Sequence, residues 1–340
     1  MRTLIAFLLI AASSLFASDS RIALTVDTSE ADAVLHVLEV CETKLTITDE
    51  DWQTIFRTEP YQRLKQREAA MHREFTDNDF KKFVMSVDLR KRRMELARTL
   101  AEWKKVDLQK SAERVLGYLP SKAVIHAKVF LMIKPQTNSF VWEPKTNAAI
   151  FLYVDPQKPA ADVENMVAHE LHHIGFASVE AESEKNLRGL SAEQKATVQW
   201  MGGFGEGLAM LAAAGSPDVH PHANSKPADR ARWDRDMQNF NADLKKVERF
   251  FFDVLDGKLK TEEEQNKVGM EFFGVQGPWY TVGYKMAVMV EKHFGRPKLI
   301  ECMMDNRKLL AMYNEAAIAE NGKTGTQLAL WTDSLLKRVE

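Results

Sequence analysis

Apolar residues recur at helical spacing through most of the chain and reach strand-like density in only two places. Residues 21–26 alternate and read as a short edge strand. Ser29 then stands as a helix N-cap, with Glu30 and Asp32 in the first turn, and Val34, Leu35, Leu38 and Cys41 follow three and four apart. From Thr48 to Leu119 the pattern stays helical, with starts at Asp49, Asp77 and Asp107 and punctuation at Pro60 and Pro120. This predicts an N-terminal region of four or five helices. Residues 123–133, rich in Val, Ile and Phe and closed by Pro135, predict a strand, and residues 148–154 predict a second. A loop or hairpin over 136–146 joins them. Helical spacing returns over 161–175, 192–214, 229–255 and 278–294, and in two or three later segments. Pro217, Pro221 and Pro227 make 216–227 an extended loop. The fold class is therefore mainly α with a small β-sheet (α+β).

Composition changes this picture little. Of 340 residues, 45% are hydrophobic and 28% charged, enough apolar content for a sizeable core. A formal net charge of −2 argues against nucleic acid or an anionic membrane as a bulk partner. The basic run Arg90-Lys91-Arg92-Arg93 reads as a solvated helix face. The first residues differ in kind. Met1-Arg2, the apolar run from Leu4 to Ala12, and the small residues Ser13, Ser14, Ala17 and Ser18 form a signal-peptide pattern over 1–18. That run is shorter than the ~18–20 residues needed to span a bilayer, so the expectation is export to a periplasm or beyond, without stable membrane insertion after cleavage. Cys41 and Cys302 are either one long-range disulfide or two separate thiols, and are too few for a cysteine zinc site.

The chemistry concentrates in His169-Glu170-Leu171-His172-His173. On a helix, residues four apart lie about 40° apart around the axis, so His169 and His173 share a face and can bind one Zn²⁺. Glu170 points to the neighbouring side, where it can serve as general base toward a metal-held water. Val163, Met166, Val167, Leu171 and Ile174 give the helix surfaces to bury. Pro159 and Asp162 sit at its start and Gly175 at its end. The apolar run 148–154, just ahead of it, is expected to be an edge strand of the kind that receives extended substrate. His172 reads as a polar cap or a supporting hydrogen-bonder.

A third ligand is needed. A metzincin-like site requires Gly at 176 and His at 179, where this chain has Phe176 and Val179. Glu206 is the one charge in the apolar, glycine-rich stretch 200–211. Burying it unpaired would cost several kcal/mol, so it must be ionically paired, as with an arginine such as Arg188, protonated, or bound to a cation, which zinc would satisfy. The glycines beside it let helices approach closely. Glu180, Glu182 and Glu184 are competitors in a more polar segment. Tyr280 and Tyr284 are candidate donors to a catalytic oxyanion. Asn165 is a weak support, and His220 and His222 read as solvated loop residues without a role.

His169–His173 together with Phe204-Gly205-Glu206-Gly207-Leu208-Ala209 resembles the gluzincin metallopeptidases. With the segments 277–285 and 310–314, the wider chain resembles an uncharacterised bacterial family of inferred zinc-dependent peptidases. The resemblance implies a zincin-like catalytic domain over 121–340, preceded by the helical region 19–120. It further implies His169, His173 and Glu206 as zinc ligands, Glu170 as catalytic base, and a peptide or protein substrate cleaved with a zinc-activated water. The gap from second histidine to third ligand exceeds that of the thermolysin-like branch, so subsites are not carried over from there. The alternatives are a catalytically inactive, metallopeptidase-like binding protein of the cell envelope, or a helical scaffold whose motif is accidental.

Overall fold

In the computed structural model, which describes residues 21–43, 45–325 and 327–340, threonines and aspartates punctuate the N-terminal half into short helices. The predicted leader 1–18 lies outside the described residues. Strand β1 (Ile22–Asp27) leads into α1 (Ser29–Glu42), α2 (Asp49–Phe56), α3 (Glu59–Ala70), α4 (Asp77–Val84), α5 (Val87–Lys91), α6 (Arg93–Trp103) and α7 (Leu108–Leu116). Among the described residues seven helices stand where four or five were expected, and Thr48, Thr76, Ser86 and Asp107 each cap the start of one. Thr48 Oγ1 accepts from Asp51 N–H at 3.3 Å, Thr76 Oγ1 from Asp79 N–H at 3.1 Å, and Asp107 Oδ1 from Lys110 N–H at 3.3 Å. Ser29 is the first helical residue rather than the cap, which is Thr28. The basic run is more engaged than a solvated face: Arg93 pairs with Glu42 at 2.7 Å, and Arg90 lies 3.7 Å from Cys41 Sγ. Both cysteines are free thiols.

Strands β2 (Ile125–Met132), β3 (Phe140–Trp142) and β4 (Ala149–Tyr153) complete a four-stranded sheet of order β1-β2-β4-β3. β1 pairs parallel with β2 from Ile22↔Ile125 to Asp27↔Phe130, and β2 pairs parallel with β4 from Lys128↔Ala149 to Met132↔Tyr153. β3 runs antiparallel to β4. β1 is an edge, as its alternation implied. β4 is not: it lies between β2 and β3, and all five of its residues are buried. Its unbroken apolar run reflects burial on both faces, the pattern of an interior strand, so it offers no free edge to a substrate. Val129, Leu131, Ile150 and Leu152 face the main core. Phe130, Met132, Ala149 and Phe151 face a smaller cluster closed by Leu64.

The C-terminal half is helical: α8 (Ala160–Ala177), α9 (Glu180–Ser183), α10 (Ala192–Met201), α11 (Gly205–Ala214), α12 (Pro227–Gln238), α13 (Phe240–Leu255), α14 (Glu262–Gly269), α15 (Pro278–Phe294), α16 (Arg296–Met304), α17 (Asn306–Thr324) and α18 (Asp333–Val339). A tight 3₁₀ turn, Gly202–Phe204, divides the expected helix 192–214. α8 runs two residues past Gly175, which does not terminate it. A Cβ on Gly175 would stand 2.3 Å from Leu119 Cδ1, so this glycine serves close packing. None of the described helices is long and apolar enough to cross a membrane.

α11 packs against α8 on one side and α15 on the other. The second contact is the tighter. A Cβ on Gly207 would meet Tyr284 N at 2.0 Å and Gly283 C at 2.3 Å, backbone atoms that cannot swing aside. Gly207→Ala is therefore expected to destabilise the protein by about 1–3 kcal/mol or more, whereas Gly322→Ala, on an open helix position, should raise stability by a few tenths to about 1 kcal/mol. Thermal melts of the two variants check this. Equal melting temperatures would mean that α11 and α15 are not in this contact.

Candidate metal centre

Three helices bring the predicted residues together. The apolar stripe of α8, with Val163, Val167, Leu171 and Ile174 buried, turns His169 and His173 toward the start of α11. Glu206 sits in the first turn of α11, and Tyr280 in the first turn of α15. His169 Nε2 lies 3.1 Å from Glu206 Oε2, His173 Nε2 lies 3.4 Å from the same oxygen, and the two nitrogens are 3.1 Å apart. Glu206 thus meets the histidines, not Arg188, which is exposed. The competing glutamates are surface groups: Glu180 pairs with Lys145 at 2.8 Å, Glu182 with Lys122 at 3.1 Å, and Glu184 is exposed.

This donor set fits a tetrahedral ion. Ligands about 2.0–2.1 Å from zinc stand roughly 3.3 Å from one another, close to the separations observed. The hydrogen-bonding account is also incomplete without a cation. A neutral imidazole carries one N–H and one lone pair. If His169 donates from Nε2, its buried Nδ1 is a bare acceptor with no partner among the described residues. If it is protonated at Nδ1, an Nε2 lone pair faces a carboxylate. A cation at the meeting point satisfies both Nε2 lone pairs and the carboxylate together, with Nδ1–H of His169 left as a buried donor that has no partner among the described residues. Charge runs the same way. Burial raises the pKa of Glu206, but the two imidazoles outweigh it and hold the carboxyl well below the usual range. Burial likewise lowers the pKa of His173, and the Glu206 carboxylate more than offsets this.

A pocket opens on each side of the His169–His173–Glu206 cluster. One, of about 230 Å³, is lined by His173, Glu206, His172, Phe176, Gly203 and Phe273. The other, of about 200 Å³, is lined by His169, Glu170, Tyr280, Asn165, His222 and Gln276 among others. The Glu170 carboxylate enters no hydrogen bond or ion pair among the described residues and faces the second pocket. Tyr280 stacks on the His169 ring, with centroids 6.1 Å apart and planes 13° apart. Burial, then the charge of Glu206 and a hydrogen bond to it, push its phenol above the ordinary range. The hydroxyl therefore stays protonated as a donor at the ligand cluster. Tyr284 lies elsewhere: its hydroxyl donates to Val219 C=O at 3.3 Å, and its ring packs edge-on to Trp233. Of the two tyrosines, only Tyr280 reaches the His169–His173–Glu206 cluster.

His172 is 2% exposed, with neither ring nitrogen paired among the described residues, so it is not the hydrogen-bonder expected. Burial, then the neighbouring histidines, depress its pKa well below normal, leaving it a neutral ring beneath the site. Sequence reasoning missed His222. The proline-bounded loop reads as polar and solvated, but the structure folds His222 inward against Trp233, centroids 5.4 Å apart, and into the second pocket. His220, two residues earlier, pairs with Asp234 at 2.9 Å. No local signal separates the two, because the burial comes from α12.

A protein-family model described as "Putative zinc dependent peptidase (DUF5700)" matches residues 52–322, a span holding the histidines, Glu206 and both tyrosines. No curated protein and no solved structure matches the chain.

Proposed function

From the premise that the chain belongs to the zinc-dependent peptidase family whose model spans most of it, we propose that it hydrolyses peptide bonds at a gluzincin-type centre. In this reading His169, His173 and Glu206 hold the zinc, and Glu170 is the general base. The observation that carries the proposal is the meeting of His169 Nε2, His173 Nε2 and Glu206 Oε2 within 3.1–3.4 Å, beside a pocket into which Glu170 presents a free carboxylate.

When bound, the ion supplies Lewis acidity, bringing the pKa of a water toward ~7 and polarising the scissile carbonyl. The remaining work belongs to the chain. Glu170 accepts the proton of the attacking water on a carboxylate oxygen and delivers it to the leaving amine nitrogen. Its position one residue after His169 holds it beside the ligands without making it one. The Tyr280 hydroxyl, kept protonated by its surroundings, is the donor available to the oxygen that gains negative charge. Tyr284 takes no part in the chemistry; it fastens the loop carrying His222 to α15.

Zinc-loaded protein is expected to cleave an unstructured peptide mixture, to stop on chelation, and to recover on readdition of zinc. Persistent cleavage in the chelator would overturn the metal mechanism. Tight zinc binding with no cleavage of any peptide would favour the second reading, an inactive metallopeptidase-like binding protein.

A further inference from the structure

Of the two pockets beside the His169–His173–Glu206 cluster, the one of about 230 Å³ does not include Glu170, and the hydrolytic mechanism makes no use of its apolar walls. Half-buried Phe176, near the end of α8, and half-buried Phe273, in the segment before α15, line it together with buried Leu208 and Met303. Phe273 is backed by Trp279, with ring centroids 6.4 Å apart. No lysine, arginine or aspartate lines this pocket, and its one carboxylate, Glu206, is engaged by the two imidazoles. His172 keeps both ring nitrogens buried and so shows the cavity no polar atom. Asn306 is the remaining polar residue, and this pocket shares it, with Phe176, Gly202 and Met303, with a neighbouring cavity.

Two glycines in the wall are not required by the fold. Gly202 has φ −55° and ψ −24°, and Gly205 has φ −53° and ψ −29°, right-handed values open to any residue. A Cβ on either would meet nothing within 4 Å. Their neighbours differ: a Cβ on Gly203 would stand 2.5 Å from Trp279 Cδ2, and one on Gly207 would strike the backbone of α15. Packing therefore calls for glycine at 203 and 207. Neither packing nor conformation calls for it at 202 or 205, where it costs backbone entropy. What the two missing side chains leave is open space in the pocket, next to Glu206 in the case of Gly205.

We propose that this pocket is a specificity subsite that receives a bulky aromatic side chain of the substrate, and that Gly202 and Gly205 are the residues that set how large that side chain can be. An aromatic ring suits the walls: Phe176 and Phe273 offer ring contacts and Met303 a thioether. A lysine or glutamate side chain would give up its water for a wall with no free charge to pair with. The inference rests on the peptidase reading for the identity of its ligand as a peptide, and its test is binding, not turnover.

Zinc-loaded Glu170→Gln protein, in which every residue of this pocket is unchanged, is titrated by calorimetry with three otherwise identical alanine-rich peptides carrying a central Phe, Ala or Lys. The Phe peptide is expected to bind roughly 10- to 100-fold more tightly than the other two, the worth of burying one large apolar side chain. Adding Gly205→Leu or Gly202→Leu, each of which builds a side chain into the open space, should bring the Phe peptide to within about threefold of the Ala peptide. A peptide with 4-azidophenylalanine at the central position, irradiated on the parent, locates the ring with no change to the pocket. Mass spectrometry should find it attached at Phe176, Phe273 or Met303, a readout that survives even if the leucine variants fold poorly or lose zinc. Equal binding of the Phe and Ala peptides, a Phe preference that persists in both leucine variants, or attachment at Met166 or Met210 in the other pocket would each overturn the subsite. Absence of hydrolysis of any peptide by the zinc-loaded wild type would instead overturn the peptidase reading, leaving the binding and attachment results to judge the pocket alone.

Discussion

Glu170→Gln is expected to keep its zinc while losing peptide hydrolysis by roughly 10²–10⁴-fold, the usual worth of a positioned acid–base group. Glutamine has the same length and nearly the same helix propensity, so α8 and the pocket wall should be preserved. What disappears is the capacity to take a proton from water and return it to the departing nitrogen. Because Glu170 makes no ion pair or hydrogen bond among the described residues, its loss leaves no buried partner stranded, and the melting temperature should hardly move. His169, His173 and Glu206, the residues proposed to hold the zinc, are untouched. Elemental analysis, a melt and steady-state kinetics on one preparation decide the matter. Full activity in this variant would remove Glu170 from the mechanism, and loss of zinc would show that it supports the metal site instead.

The second large effect concerns the ligands. His173→Ala and Glu206→Ala each delete one of three donors that meet within 3.1–3.4 Å, so both should lose stoichiometric zinc, and hydrolysis with it. The signature lies in linkage. Zinc at 100 times its dissociation constant stabilises a folded protein by about 2.7 kcal/mol if it binds only the native state. The wild type should therefore melt at a higher temperature with zinc than after chelation, and the two variants should show little or no such shift. Without metal, Glu206→Ala also gives up the carboxylate's contacts with the two imidazoles and the Tyr280 hydroxyl, so a lower zinc-free melting temperature is expected alongside the missing zinc shift. A Glu206 variant that retained the wild-type zinc shift would leave the histidines in place and require a different third ligand.

The local pattern carried much of this. The period of apolar residues marked most helices and both long strands within a few residues, because burial of a helix or strand face is written directly into the order of side chains. His169, Glu170 and His173 were legible because ligand spacing on one helix is set by helical geometry alone. Glu206 stood out for a different reason: a lone carboxylate in an apolar, glycine-rich segment must be paired, protonated or bound to a cation, and in the structure it meets the two imidazoles. Several local readings were incomplete. Of the glycines beside Glu206, Gly207 is a site of close approach, to α15, whereas a Cβ on Gly205 would meet nothing within 4 Å, and Gly175 makes room for Leu119 rather than ending α8.

The sequence by itself therefore determined the helical character of the chain, the shared face of two histidines and the need of Glu206 for a partner. Each of these follows from interactions a few residues long or from the cost of burying a charge. Only the tertiary structure decided that β4 is interior, that Tyr280 and not Tyr284 reaches the ligands, and that His222 leaves a polar loop for the pocket wall. Those outcomes depend on which elements pack together, and contacts between residues far apart in the chain leave no periodic trace in either segment.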